Sequence, residues 1–532
     1  MTKVLKKGRI AILAIVLVYV AIMTCIILKS INRTKESDDI RFSFDKSVTD
    51  EERSLITSSY GSTNPSSNKV VRISASTQSY AYTESENTLL IKISVPVVDM
   101  YSDILNITSA EADLCANNTA SENSNKDNKI NCKFVDLAYL TPSSRLVSID
   151  NKYFLDDFNA GAIFRVIEVS ADDKEIETAT LDKLHQAFSS MNYSMNNVTG
   201  KTFSIAQTGV TAISRAMTTY LNNKAGGKGG FFAEKIASFL NKKDITHISN
   251  EVSFADGCQG GDTTLQLCAD WRTIDTITAI GTDIVELTGN HNNDYGASSN
   301  IATIEKYESL GMKTYGGGKT EEIAQKPIRI TTSNTADEKL SIIENAKGAN
   351  ITMLAYNEST STKANGQLAD GERPGANGYV EAIARADIKA AKERGDFVIV
   401  DVQFAECYCY PGDGNEYPDC DYPINGQQSL FRGLIDMGAD MVVGTQAHQP
   451  QTFERYKDGV IYYGLGNLFF DQISWADTMK SLILTHYFIN GKYVQTRITP
   501  TIYDDNFQTE LMEEKDAEKY IKRLIKASDR GE

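Results

Sequence analysis

Apolar and polar positions follow two rhythms along this chain, and the rhythm changes near residue 200. Before it, residues 70–73, 89–95, 134–140 and 164–169 are short runs rich in β-branched and aromatic residues, which predict strands. From Thr202 onward, short apolar runs alternate with stretches of helical period. Strands are predicted at 203–206, 284–288, 313–315, 397–402 and 441–443, and helices at 213–222, 231–241, 272–280, 298–310, 378–394 and 427–437. This alternation predicts a layered α/β domain, preceded by a smaller α+β region. The tail beyond Asp504 is charged and predicts a helix over 515–527.

One apolar stretch fits neither rhythm. Residues 10–28 carry no charge, and as a helix they would rise about 28 Å, close to the thickness of a bilayer core. Lys3, Lys6, Lys7 and Arg9 precede the stretch, so the N-terminus is expected in the cytoplasm and the rest outside. The run is long for a signal peptide and lacks a clean small-x-small cleavage site. The expected organisation is a cytoplasmic tail (1–9), a single membrane anchor (10–28), a flexible polar stalk (29–68), an accessory α+β region (69–190), the main domain (200–505) and a charged C-terminal helix (506–532).

Composition narrows the partners. A formal charge of −16 argues against nucleic acid, whose phosphates need Lys and Arg. The expected partner is the membrane, through residues 10–28. Of the eight cysteines, seven follow the anchor, in a compartment that permits disulfides. Close spacing pairs Cys115 with Cys132 and Cys258 with Cys268, and joins Cys420 to Cys407 or Cys409.

Chemistry concentrates where apolar runs stop. The run 284–287 ends in Gly289-Asn290-His291-Asn292-Asn293-Asp294, the run 441–443 in Gly444-Thr445-Gln446-Ala447-His448, and the run 460–463 in Gly464-Leu465-Gly466-Asn467. A sheet fixes such loops in place and lets them carry donors, acceptors and ligands. Three junctions of one type predict a single site at one sheet edge. Asp294, followed by Tyr-Gly, reads as a turn or loop brace. His185, His247 and His486 read as structural or surface residues. The run Gly226-Gly227-Lys228-Gly229-Gly230 lacks the ending of a phosphate loop and reads as an interhelical connection.

Taken in order, the junctions resemble the bacterial poly-gamma-glutamate capsule synthesis (CapA-like) family, a branch of the calcineurin-like metallophosphoesterase fold. The matching segments are 209–215, 244–251, the Asn-His-x-x-Asp-x-Gly run from Asn290 to Gly296, the Gly-Ala-Asp lead into 438–451, and the closing segment 463–471. The resemblance implies an α/β sandwich of the metallophosphoesterase type, a role in making, anchoring or handling a surface polymer, and a cell-surface polymer or other envelope biosynthesis proteins as partners. It implies His291 and Asn290 as catalytic residues and Glu251, Asn290 and His448 as metal ligands. It also places Gln403, Glu406, Gln446 and Asn467 against substrate. The family's two-metal chemistry needs about six oxygen and nitrogen ligands. Here Val210 stands for a carboxylate, Gln403-Phe404-Ala405 for His-Trp-Gly and Gln446 for a histidine. The implied cofactor is therefore one divalent ion, manganese, zinc or iron, or none. Two outcomes are open: hydrolysis of a phosphoester, peptide or glycan bond at a reshaped site, or polymer binding without turnover.

Overall fold

The computed structural model describes residues 39–117, 131–189, 195–258, 265–332, 339–345, 347–358, 366–404, 423–424, 426–473 and 477–528. The expected anchor at 10–28, Glu406, Cys407, Cys409 and Cys420 lie outside the described residues. Among the described residues, no helix is long and apolar enough to cross a membrane. The chain forms two compact units that divide between Gly200 and Lys201, with residues 99–105 and 141–145 belonging to the second.

The first unit is built on a sheet ordered Arg41–Phe44, Val70–Ala81, Ala160–Ala171, Thr88–Asp99 and Lys133–Asp136. Its first pair is parallel and the others are antiparallel. Helices Asp50–Tyr60 and Lys174–Ser189 close a core containing Ile56, Tyr60, Val71, Ile73, Ile167, Leu184 and Phe188. The described part of the expected stalk is therefore folded. Residues 39–68 have few apolar side chains, but Ile56 and Tyr60 lie one helical turn apart and both are buried. A capping box starts that helix: Glu52 N donates to Thr49 Oγ1 and Thr49 N donates to Glu52 Oε2. The strand expected over 134–140 stops at Asp136, whose side chain caps a 3-10 turn at Leu137–Tyr139. The disulfides Cys115–Cys132 and Cys258–Cys268 are present, the first in this unit and the second in the larger one.

The second unit stacks two sheets between helices. One sheet orders its strands Lys313–Tyr315, Ile284–Glu286, Ile245–Asn250, Thr202–Thr211, Lys480–Ile489, Lys492–Tyr503 and Thr509–Leu511, and Asn467–Phe469 also pairs with Thr202–Thr211. The first four strands are mutually parallel. The other sheet runs Ser341–Glu344, Ile328–Thr331, Ile351–Asn357, Phe397–Gln403, Met441–Gly444, Gly459–Tyr462 and Phe453–Tyr456. Its strands 351–357, 397–403, 441–444 and 459–462 are parallel. All ten residues of Thr202–Thr211 are buried, as expected for a strand covered on both faces.

Three apolar layers hold the stack. Ala206, Val210, Ile248 and Val285 pack against Met217, Leu221, Ile277 and Ile304 outside the first sheet. Ile205, Ile245 and Leu484 meet Met353, Ile399 and Val443 between the sheets. Val400, Val442 and Ile461 pack on Ile388, Phe431 and Leu434 outside the second. This helix–sheet–sheet–helix order is the α/β sandwich expected from the sequence. The C-terminal helix, Glu514–Ser528, belongs to this unit and is not a separate segment, because Tyr520, Leu524 and Ile525 join the middle layer.

The middle layer also holds a polar chain. Tyr315 and Gln207 both donate to Asp401, and His247 Nε2 lies 3.0 Å from the Tyr315 hydroxyl. His486 Nε2 lies 2.9 Å from Gln207 Oε1, and its Nδ1 lies 2.8 Å from Thr496 Oγ1. Burial pushes both histidines down to about 3 and the Asp401 carboxyl well above its ordinary range. His247 and His486 are thus structural, as their positions within strands predict.

Candidate functional site

The site lies at the ends of the parallel strands, where polar residues follow each buried run. Strand 202–211 ends at Thr211, whose carbonyl accepts from Glu251 N at 3.0 Å. Strand 284–286 leads into Gly289. A Cβ there would lie 2.5 Å from Glu251 Cα and 2.6 Å from the Asn250 carbonyl, so only glycine lets the two loops come this close. Asn292 fixes the loop from beneath, donating to the carbonyls of Leu287 and Gly289. Gly209 serves in the same way, since a side chain there would strike the Gly466 carbonyl beside Asn467.

These approaches bring most of the expected residues together. Glu251 Oε1 stands 3.9 Å from His291 Nε2, and His291 Nδ1 is held 2.6 Å from Asp294 Oδ2. Asp294 also accepts from Leu267 N and from Gln367 Nε2, both at 2.8 Å. It is thus both the loop brace expected and the group that orients His291. Gln403 Nε2 donates to Asn290 Oδ1 at 3.0 Å and to Gln446 Oε1, while Asn357 Nδ2 donates to Gln403 Oε1 at 2.9 Å. Four amides thereby form one row across the ends of four strands. His448 and Asn467 form a second pair, 2.9 Å between Nδ1 and Oδ1, with the imidazole stacked on Phe470. Asn467 lies in register with Val210, next to Thr211. Glu406 lies outside the described residues.

Several residues complete the site without having been anticipated. Asn357 ends a buried strand with a polar residue, the same signal as the other junctions, and it also donates to the Thr288 carbonyl at 2.7 Å. Glu286 is fully buried beneath the loop and accepts from Ser249 Oγ at 2.7 Å and from Thr288 N. Burial raises its carboxyl to about 6. Arg215 binds Asp471 through two nitrogens and lies over Phe470, 5.0 Å from the ring centre, so its charge is already matched.

The donor set can be weighed against a two-metal centre. Val210 faces the apolar layer under the helices and cannot ligate. Gln403 and Gln446 bond to each other, and amides are weak ligands for zinc, manganese or iron. Among the described residues, no three or more His, Cys, Asp or Glu are grouped to hold a metal ion. The described residues therefore do not fit the dinuclear centre that the fold resemblance implies. They form instead a hydrogen-bonding site around an oriented histidine.

Residues 204–472, half of the chain, match the family described as Bacterial capsule synthesis protein PGA_cap. The chain is similar to Capsule biosynthesis protein CapA of Bacillus anthracis, 25% identical over 277 residues, 51% of this chain and 60% of that one. It is similar to PGA biosynthesis protein CapA of Bacillus subtilis (strain 168), 25% identical over 254 residues, 48% of this chain and 60% of that one. The similarity thus spans 60% of the length of both relatives. The solved structure of Haemophilus influenzae NAD nucleotidase (NadN) covers 61% of this chain and 62% of that chain at 14% identity and a TM-score of 0.30, too slight a likeness to bear on the site.

Proposed function

Because the chain belongs to the bacterial capsule synthesis protein family, we propose that it makes, anchors or handles a cell-surface polymer of the poly-gamma-glutamate type. In this reading residues 10–28 hold it in the membrane, and both folded units work on the extracytoplasmic side. The disulfides Cys115–Cys132 and Cys258–Cys268 support that side, since such bonds persist in oxidising compartments. The observation that carries the reading is the family match over residues 204–472. The row Asn290–Gln403–Gln446 beside Glu251 and His291 supports it at the site. Amides hold a polymer by hydrogen bonds where the family's ligands would hold metal. Deleting the gene should change the amount or attachment of surface polymer. An envelope of unchanged composition in the deletion strain would refute the role.

A second reading, hydrolysis or group transfer, is favoured by the His291–Asp294 pair. A carboxylate on Nδ1 fixes the tautomer and orients Nε2 for proton transfer, while Glu251 stands on that side at 3.9 Å. Metal content of the purified chain and turnover of poly-gamma-glutamate separate the two, with His291→Ala and His448→Ala as controls. Turnover lost in both variants favours catalysis. Binding without turnover favours handling alone.

A further inference from the structure

The strand ends that build the site share a second feature. Thr211 Oγ1, Glu251 Oε2 and Thr445 Oγ1 are buried with no hydrogen-bond partner among the described residues. The three residues are 2%, 3% and 3% exposed. Each stands at, or one residue after, the end of a different parallel strand. A buried polar group without a partner costs free energy, and native structures keep few of them. Three at the strand ends that carry the site mark groups held ready for a ligand. The amide row adds donors. Gln403 spends its amide hydrogens on the carbonyl oxygens of Asn290 and Gln446, which leaves Asn290 Nδ2 and Gln446 Nε2 as the donors at its two ends.

Charge decides the class of ligand. None of these residues is Lys or Arg, and Arg215 is matched by Asp471. Glu251, Asp294 and Glu286 lie in or under the same loops. A polyanion would meet carboxylates with no unmatched Lys or Arg among the described residues of these loops to offset them. Neutral sugar hydroxyls can donate to Glu251 Oε2 and exchange hydrogen bonds with the threonines. An acetamido carbonyl can accept from the two amides.

We propose that this site binds an uncharged, N-acetylated glycan through Glu251, Asn290, Gln446 and the hydroxyls of Thr211 and Thr445. The inference rests on the polymer-handling reading and names what the site itself holds: a neutral sugar chain, with any anionic polymer engaged elsewhere. The full chain in detergent is titrated by calorimetry with chitohexaose, maltohexaose, poly-gamma-glutamate and manganese(II). Chitohexaose should bind, at least tenfold more tightly than maltohexaose. Thr445→Val and Thr211→Val each remove an unpartnered hydroxyl with little change of shape. They should raise or preserve the thermal midpoint while weakening chitohexaose at least fivefold, and Glu251→Gln should weaken it at least tenfold. A structural role for these hydroxyls would instead lower the midpoint and leave binding unchanged, and that result overturns the proposal. So does binding of poly-gamma-glutamate or manganese at this site without chitohexaose, which would leave the polymer-handling reading intact. No binding of any probe, with an unchanged envelope in the deletion strain, removes both.

Discussion

Glu286 is where the chemistry of the site meets the stability of the fold. Its carboxyl is fully buried, and burial raises it from 4.5 to about 6. A raised carboxyl contributes stability that is fully present below about 4.5 and is lost as pH rises through about 6. Ionising it should therefore cost about 2 kcal/mol across that interval. Glu286→Gln should remove this dependence, so urea unfolding curves of variant and wild type should diverge between pH 4.5 and 6 and run parallel above it. Parallel curves throughout would mean the carboxyl is solvated. The sequence made the upper half of the site legible at this scale. Asn290, His291, Gln446 and Asn467 each follow an apolar run and a glycine, and that pattern survives folding. Glu286 and the unpartnered threonines gave no such signal, because a polar residue within or just after a strand looks the same whether it faces a ligand, a core or water.

At the scale of elements, helix 50–60 is the clearest test of the fold. Its start depends on the reciprocal bonds between Thr49 and Glu52, and Glu52 also binds Arg165 at 2.7 Å. Thr49→Ala should cost about 1 kcal/mol. The loss should appear as faster proteolysis within residues 39–68 and a lower midpoint of far-ultraviolet dichroism for the first unit. A flexible stalk would show neither effect. The segment misleads as sequence because its apolar residues are few, and only their one-turn spacing and the Thr-x-x-Glu cap mark a helix. In the larger unit the long helices and the strands at 203–206, 284–288, 313–315, 397–402 and 441–443 were legible from their periodic patterns, whereas Ile351–Asn357, Lys480–Ile489 and Lys492–Tyr503 were not predicted as strands. The segment expected as one helix over 231–241 is a 3-10 turn at Phe231–Ala233 and a single α turn at Ala237–Leu240. Pairing across the sheets, which brings Asn357 beside Gln403, depends on register between strands that no local pattern encodes.

The whole larger unit carries a balance of buried charges whose sign can be worked out. His247 and His486 are depressed to about 3, so each contributes stability that is present above its unfolded value of 6.5 and is lost as pH falls. Asp401 and Glu286 are raised by burial, so each contributes stability that is lost as pH rises. Between pH 4.5 and 6 the unfolded chain binds protons through the histidines that the folded unit excludes, while the folded unit keeps one on Glu286 that the unfolded chain releases. The histidines and the raised carboxyls therefore pull stability in opposite directions with pH. Removing one histidine breaks the balance. His486→Gln keeps a donor toward Gln207, but its stability relative to wild type should rise by about 1.4 kcal/mol for each unit that pH falls between 6 and 4.5. Trp271 belongs to this unit and no tryptophan precedes Lys201 in the sequence, so tryptophan fluorescence during urea unfolding reports this unit without the first. A difference between variant and wild type that does not vary with pH would mean that His486 titrates in the folded state as it does in water. The chain from His247 to Thr496 would then be hydrated and could not tie the two sheets together beneath the site.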